Sequence, residues 1–102
     1  MALPTNQPEV QVQTVVVVGQ GYVGLPLAMR ATEAGYDVVG FDTDERRIKR
    51  LSIGDSYVED VARPVLAAAL ASGRYRPSTD EAQVADFDFG VITVPTPLTD
   101  GS

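Results

Sequence analysis

The 102-residue sequence contains no cysteine and no histidine, and its only lysine is Lys49. Without cysteine there is no disulfide framework, no thiolate metal site and no thiol nucleophile. Without histidine there is no imidazole base, and the commonest zinc ligand is missing. No apolar run approaches the ~18–20 residues that a membrane-spanning helix requires. Met1 to Gln13 has neither a basic segment nor an apolar one, so it does not read as a secretory signal. Positive charge is also scarce: eight basic residues face fourteen acidic ones, a net charge of −6. Sequence-independent nucleic-acid binding needs a basic footprint, so no nucleic-acid partner is expected. A phosphate held locally by backbone N–H groups remains open.

A hydrophobic fraction of 44% is that of ordinary globular protein, and the length is that of about one small domain. Residues 1–13, with Pro4, Pro8 and four Asn or Gln side chains, are expected to be a flexible tail. Residues 14–102 are expected to form the domain proper. Thr14 to Val18 is a continuous β-branched run, the pattern of a strand buried on both faces of a parallel sheet. Tyr22 to Ala34 reads as a helix. Val23, Leu27, Ala31 and Ala34 follow helical spacing, with Leu25 and Ala28 beside them, and Pro26 falls in the first turn. Asp37 to Phe41 reads as a second strand, and Asp44 as the N-cap of a short helix, Glu45 to Leu51. A third helix is expected from Arg63 to Ala71, with Pro64 near its start and Gly73 past its end. Tyr75 to Pro77 suits a short edge strand, Asp80 to Ala85 a helical turn, and Phe87 to Val94 a last strand. Strands alternating with helices imply βαβ units. The expected fold class is therefore α/β: a truncated Rossmann-type parallel sheet of about four strands, order 3-2-1-4, with flanking helices.

The sharpest motif is Gly19-Gln20-Gly21-Tyr22-Val23-Gly24, a G-x-G-x-x-G string. Alone it is weak, but here it follows a valine-rich strand and opens a helix. Gly19 suits the tight turn, Gly21 a close approach of the backbone to a pyrophosphate, and Gly24 close packing of helix on strand. A helix N-terminus adds unpaired N–H groups and partial positive charge. Asp42 stands eighteen positions past Gly24, close to the ~20 expected of a ribose-binding acid. A carboxylate there repels a 2′-phosphate, which favours NAD over NADP. The plainer alternative is that Asp42 caps the turn before Asp44. Two readings also fit Arg47: a partner for a 2′-phosphate, or a contact to the cofactor ribose or pyrophosphate. Val94-Pro95-Thr96-Pro97 comes after the last strand. In a 3-2-1-4 sheet it faces the glycine turn across the crevice, although a plain rigid turn would carry the same residues.

Taken together these strings resemble the UDP-glucose and GDP-mannose dehydrogenase family of nucleotide-sugar dehydrogenases. The resemblance rests on Gly19 through Ala28 (G-Q-G-Y-V-G-L-P-L-A), on Phe41-Asp42-Thr43-Asp44 with Arg47-Ile48, and on Ile92 through Leu98 (I-T-V-P-T-P-L). Ser56 to Val61 and the V-P-T-P-L string look most like the branch acting on UDP-N-acetylhexosamines. The resemblance implies NAD as cofactor and oxidation of a sugar C6 hydroxyl to a carboxylate in polysaccharide biosynthesis. It assigns Gly19, Gln20, Gly21, Tyr22, Val23 and Gly24 to the pyrophosphate, Asp42 to the adenosine ribose, and Arg47 to the ribose or pyrophosphate region. Val94, Pro95 and Thr96 would lie along the cofactor. Family members are several times longer, and their cysteine nucleophile, catalytic lysine and sugar-binding domain have no counterpart in this sequence. The chain is thus expected to be the N-terminal cofactor-binding piece of a cytoplasmic, homo-oligomeric enzyme, with no catalytic residue of its own and no metal. Its nucleotide-sugar substrate would be bound by another domain. The alternatives are a piece of another Rossmann dehydrogenase, of the 3-hydroxy acid or 6-phosphogluconate type, and a non-catalytic nucleotide-sensing module.

Overall fold

The valine run forms β1 (Thr14–Val18), and in the computed structural model, which describes residues 12–85 and 87–93, it lies inside a parallel sheet. Its neighbours are β2 (Asp37–Phe41) and β4 (Phe89–Ile92), and β3 (Tyr75–Ser78) lies outside β2. The order β3-β2-β1-β4 is the expected one. Register aligns the strand ends. Val18 pairs with Phe41 and with Ile92, so Gly19, Asp42 and Thr93 all emerge at one level, beyond the carboxyl ends of three adjacent strands.

Three helices connect the strands: α1 (Gly24–Glu33), α2 (Glu45–Ser52) and α3 (Arg63–Ala71). Val15 and Val17 of β1, Val38 of β2 and Tyr75 of β3 point to one face of the sheet. There they pack with Leu25, Ala28 and Met29 of α1, Ile48 and Leu51 of α2, Leu66 and Ala69 of α3, and Val58 and Val61 of the α2–α3 connection. Asp44 caps α2 as expected, accepting from the Arg46 and Arg47 N–H groups at 2.9 and 3.3 Å. Pro64 opens α3, and Pro77 sits on the edge strand β3, where a missing donor is tolerated. A single 3-10 turn, Glu81–Val84, lies against β2. Among the described residues no helix is long and apolar enough to cross a membrane.

Two expectations need correction. The helix expected over 22–34 begins only at Gly24, because Tyr22 and Val23 belong to the preceding turn. Its buried stripe is Leu25, Ala28, Met29 and Thr32, whereas Val23 and Leu27 are exposed. The stripe read from Val23, Leu27, Ala31 and Ala34 lies on nearly the opposite side of a 3.6-residue helix. In this orientation Leu25, Ala28 and Met29 join the core, and Gly24 lies close against the Gly19 carbonyl, where a side chain would not fit. The last strand is also shorter than Phe87 to Val94. It runs Phe89–Ile92, and Val94 lies outside the described residues. Phe87 and Asp88 instead form its approach, where the Asp88 carboxylate accepts from the Thr14 N–H at 2.8 Å.

Candidate functional site

Gly19 turns the chain out of β1 at φ +99°, a left-handed conformation that side chains resist. The Gly19 N–H donates to the Phe41 carbonyl at 2.7 Å, which ties the turn to the end of β2. A Cβ at Gly24 would collide with the Gly19 carbonyl and stand 2.5 Å from the Thr93 hydroxyl. The motif's first and third glycines therefore let the turn close on itself and on the end of β4. Gly21 is different. It has no positive φ, and a Cβ there would meet only the Arg47 guanidinium, at 3.5 Å. Among the described residues no other side chain or non-neighbouring backbone atom comes within 4 Å of that position. No described residue accepts from the N–H groups of Gly21, Tyr22 or Val23, so three consecutive donors stand at the N-terminus of α1.

Asp42 faces this turn. One carboxylate oxygen accepts from the Gln20 N–H at 2.9 Å and from Arg47 Nη1 at 3.3 Å. The other accepts from the Asp44 N–H at 2.9 Å. Capping the turn and bracing the glycine loop are thus both done by one carboxylate. Its burial alone would raise the pKa, but the two backbone donors and Arg47 outweigh it and hold the group below the ordinary value of 3.8. Asp42 is therefore a carboxylate at neutral pH. A carboxylate offers about four lone-pair sites, and three are occupied here. Room for another donor exists, and more appears if half-exposed Arg47 moves. Arg47 also approaches Asp44 at 3.8 Å, so it is held loosely among acids at the cavity mouth.

Gly19, Gly21, Tyr22, Val23, Gly24, Asp42, Arg47 and Thr93 line a single cavity of about 490 Å³. That volume falls in the range of small-molecule sites. Gln20 does not line it. Its side chain is fully buried, donating to the Val17 and Gly19 carbonyls at 3.0 Å each and accepting from the Tyr75 hydroxyl at 2.7 Å. It is a strut beneath the loop. Val94, Pro95 and Thr96 lie outside the described residues.

Sequence reasoning missed three residues. Thr93 reaches the Val18 and Gly19 carbonyls with its hydroxyl, at 2.9 Å each, and closes the far side of the turn. Tyr75 holds Gln20 from β3. Tyr57 donates to the Gln20 carbonyl at 2.6 Å. Thr93 was discoverable as the polar residue ending the strand beside β1. The tyrosines carried no local signal, since their contacts span 55 and 37 residues of sequence.

With this geometry in place, comparison with known proteins becomes specific. The family model for the NAD binding domain of the UDP-glucose/GDP-mannose dehydrogenase family matches residues 13–102. The UDP-glucose 6-dehydrogenase of Haloferax volcanii is 34% identical over 84 residues, covering 82% of this chain and 20% of that protein. The UDP-N-acetyl-D-mannosamine dehydrogenase of Methanococcus aeolicus is 36% identical over 90 residues, covering 87% and 20%. Among solved structures, the UDP-D-ManNAc dehydrogenase of Pyrococcus horikoshii superposes with a TM-score of 0.79 at 31% identity, covering 84% of this chain and 21% of that one. The chain thus spans about a fifth of the length of the curated relatives it matches. A Rossmann-type parallel sheet, a glycine turn with open donors and an acid at the end of β2 all agree with that match, and the chain belongs to the UDP-glucose/GDP-mannose dehydrogenase family, whose NAD-binding domain it matches.

Proposed function

We propose that residues 14–102 hold the adenosine diphosphate half of NAD within a longer nucleotide-sugar dehydrogenase, residues 1–13 being a tail. The observation that carries this reading is the shared cavity. Gly21, Tyr22 and Val23, whose N–H groups have no acceptor among the described residues, line it together with an ionised Asp42. Gly21, Tyr22 and Val23 donate to the diphosphate, and the absence of a Cβ at Gly21 admits it. Gly19, Gly24 and Gln20 keep the loop in the shape this requires. Asp42 accepts from the hydroxyls of the adenosine ribose and excludes a 2′-phosphate by charge. Arg47 gives way at Asp42 and turns to the ribose or diphosphate. The sequence resemblance assigns Val94, Pro95 and Thr96 to the cofactor as well. Bound NAD supplies a hydride acceptor. This chain's part is to bind and orient it.

The whole enzyme oxidises the C6 hydroxyl of a nucleotide sugar to a carboxylate in the cytoplasm, acting as a homo-oligomer. The sugar nucleotide, of the UDP-N-acetylhexosamine class, is bound by a different domain. The activities named for the relatives support this reading. Isothermal titration of the chain with NAD and NADP tests the cofactor assignment. NAD should bind more tightly, and Asp42→Ala should narrow the gap between the two. Equal affinity in the folded parent chain would refute it.

A further inference from the structure

The geometry points to Tyr57, in the α2–α3 connection, as a positioning residue for the cofactor diphosphate, acting through the Gln20–Gly21 peptide and through Arg47. The inference rests on the proposed cofactor reading and adds a residue from a segment that reading does not use.

Tyr57 makes two contacts. Its hydroxyl donates to the Gln20 carbonyl at 2.6 Å. Its ring lies against two guanidinium groups, with Arg47 at 5.8 Å and Arg50 at 5.2 Å from the centroid. The first contact matters because the Gln20 carbonyl and the Gly21 N–H belong to one planar trans peptide and point in opposite directions. Fixing the carbonyl on Tyr57 therefore aims the Gly21 N–H away from it. That N–H has no acceptor among the described residues. The second contact matters because Arg47 is the nearest side chain to the open space at Gly21. A cation over an aromatic face within about 6 Å is attracted to it. Arg50 is anchored on the other side by Asp55 at 2.9 Å, so the ring has a fixed neighbour and a loosely held one.

Arg47 also borders two cavities. The one behind the glycine turn has a neighbour of about 470 Å³, lined by Arg46, Arg50 and Tyr57, and both include Gly21, Tyr22 and Arg47. One side chain thus sets the direction of a backbone donor and the station of a cation, both beside the same glycine. Adenosine alone carries no phosphate to meet the Gly21 donor, whereas a diphosphate meets the donor and the cation together.

The test is calorimetry of the 102-residue chain with NAD, ADP and adenosine, comparing the parent with Tyr57→Phe and Tyr57→Leu. Tyr57→Phe keeps the ring and loses the hydroxyl contact. It should weaken NAD and ADP about fivefold, the worth of one ordinary hydrogen bond, and leave adenosine unchanged. Tyr57→Leu loses the ring as well and should weaken them further. In the isotope-labelled parent chain, the Gly21 amide and Arg47 Nε resonances should both move on addition of ADP, and the Gly21 amide should stay in place with adenosine. Parent-like affinity of Tyr57→Phe for ADP would overturn the inference. So would a loss of adenosine in the same proportion, which would make Tyr57 a strut of the fold only. If either variant fails to fold, the parent resonances decide, and ADP binding that leaves them unmoved refutes the role. A parent chain that binds neither NAD nor ADP would instead remove the cofactor reading, and this inference with it.

Discussion

Gly21 and Gly24 belong to one motif, yet their replacement by alanine should fail in different ways. At Gly24 the new methyl collides with the Gly19 carbonyl and comes within 2.5 Å of the Thr93 hydroxyl. Backbone must move, and overpacking of that kind costs roughly 1–3 kcal/mol. Displacing Thr93 also strains its contacts to Val18 and Gly19, at about 1 kcal/mol for a hydrogen bond. A total of about 2–4 kcal/mol would take a large part of a typical domain's stability and lower Tm by more than ~8 °C. At Gly21 the methyl meets only the Arg47 guanidinium at 3.5 Å, and no positive φ opposes it. Stability should change by less than about 0.5 kcal/mol. The methyl would instead occupy the approach to the Gly21 to Val23 donors. Hydrogen bonds to a charged group are worth about 1.5–3 kcal/mol each, so losing one weakens NAD binding by at least about tenfold. Thermal unfolding followed by circular dichroism, with calorimetric titration of NAD on the same samples, separates the two effects. The reasoning fails if Gly21→Ala is as destabilised as Gly24→Ala. It fails equally if folded Gly21→Ala binds NAD like the parent.

Other consequences concern pH and association. Asp42 ionises below the ordinary value of 3.8, so its stabilising contribution is complete above that value and is lost as pH falls through the lower folded one. The acid limb of the stability curve below pH 4 should therefore be shallower in Asp42→Asn, and an unchanged slope would contradict the assignment. Burial raises the Tyr57 hydroxyl to about 12 and Tyr75 higher still, whereas both ionise near 10 when unfolded. Stability should fall as pH rises from 10 toward 12, less steeply in Tyr57→Phe; urea midpoints at pH 9 and 11 that agree would refute this. Finally, β4 pairs on one side only among the described strands, and it presents exposed Phe89 and Ile92, with Phe87 beside them. Such an apolar edge invites pairing. Light scattering across a concentration series should show self-association that Ile92→Lys reduces, and equal association of the two chains would count against it.

The sheet is readable from sequence because its signals are local. A run of valines, an Asp-capped helix and proline–glycine punctuation each act within a few residues. The strand order comes from motif chemistry placed on that frame. The face of α1 is not readable, for a physical reason: its apolar residues form two stripes, and the close approach of Gly24 to Gly19 that accompanies the buried one is a tertiary contact. Gln20 groups with the ligand-facing residues in sequence because it lies between two glycines. Its burial depends on Tyr75, which reaches it from across the sheet. Asp42 is legible in position but not in detail, since the backbone donors it satisfies exist only after β2 has met the turn.

Thr93 has one hydroxyl proton and two carbonyls within reach of it. Each carbonyl has another donor: the Thr93 N–H on Val18 at 2.8 Å, and the Gln20 amide on Gly19 at 3.0 Å. Neither carbonyl is left bare when the proton turns away. The hydroxyl thus stands on the cavity wall with one proton shared between two carbonyls, and it can pass from one to the other while each keeps a donor.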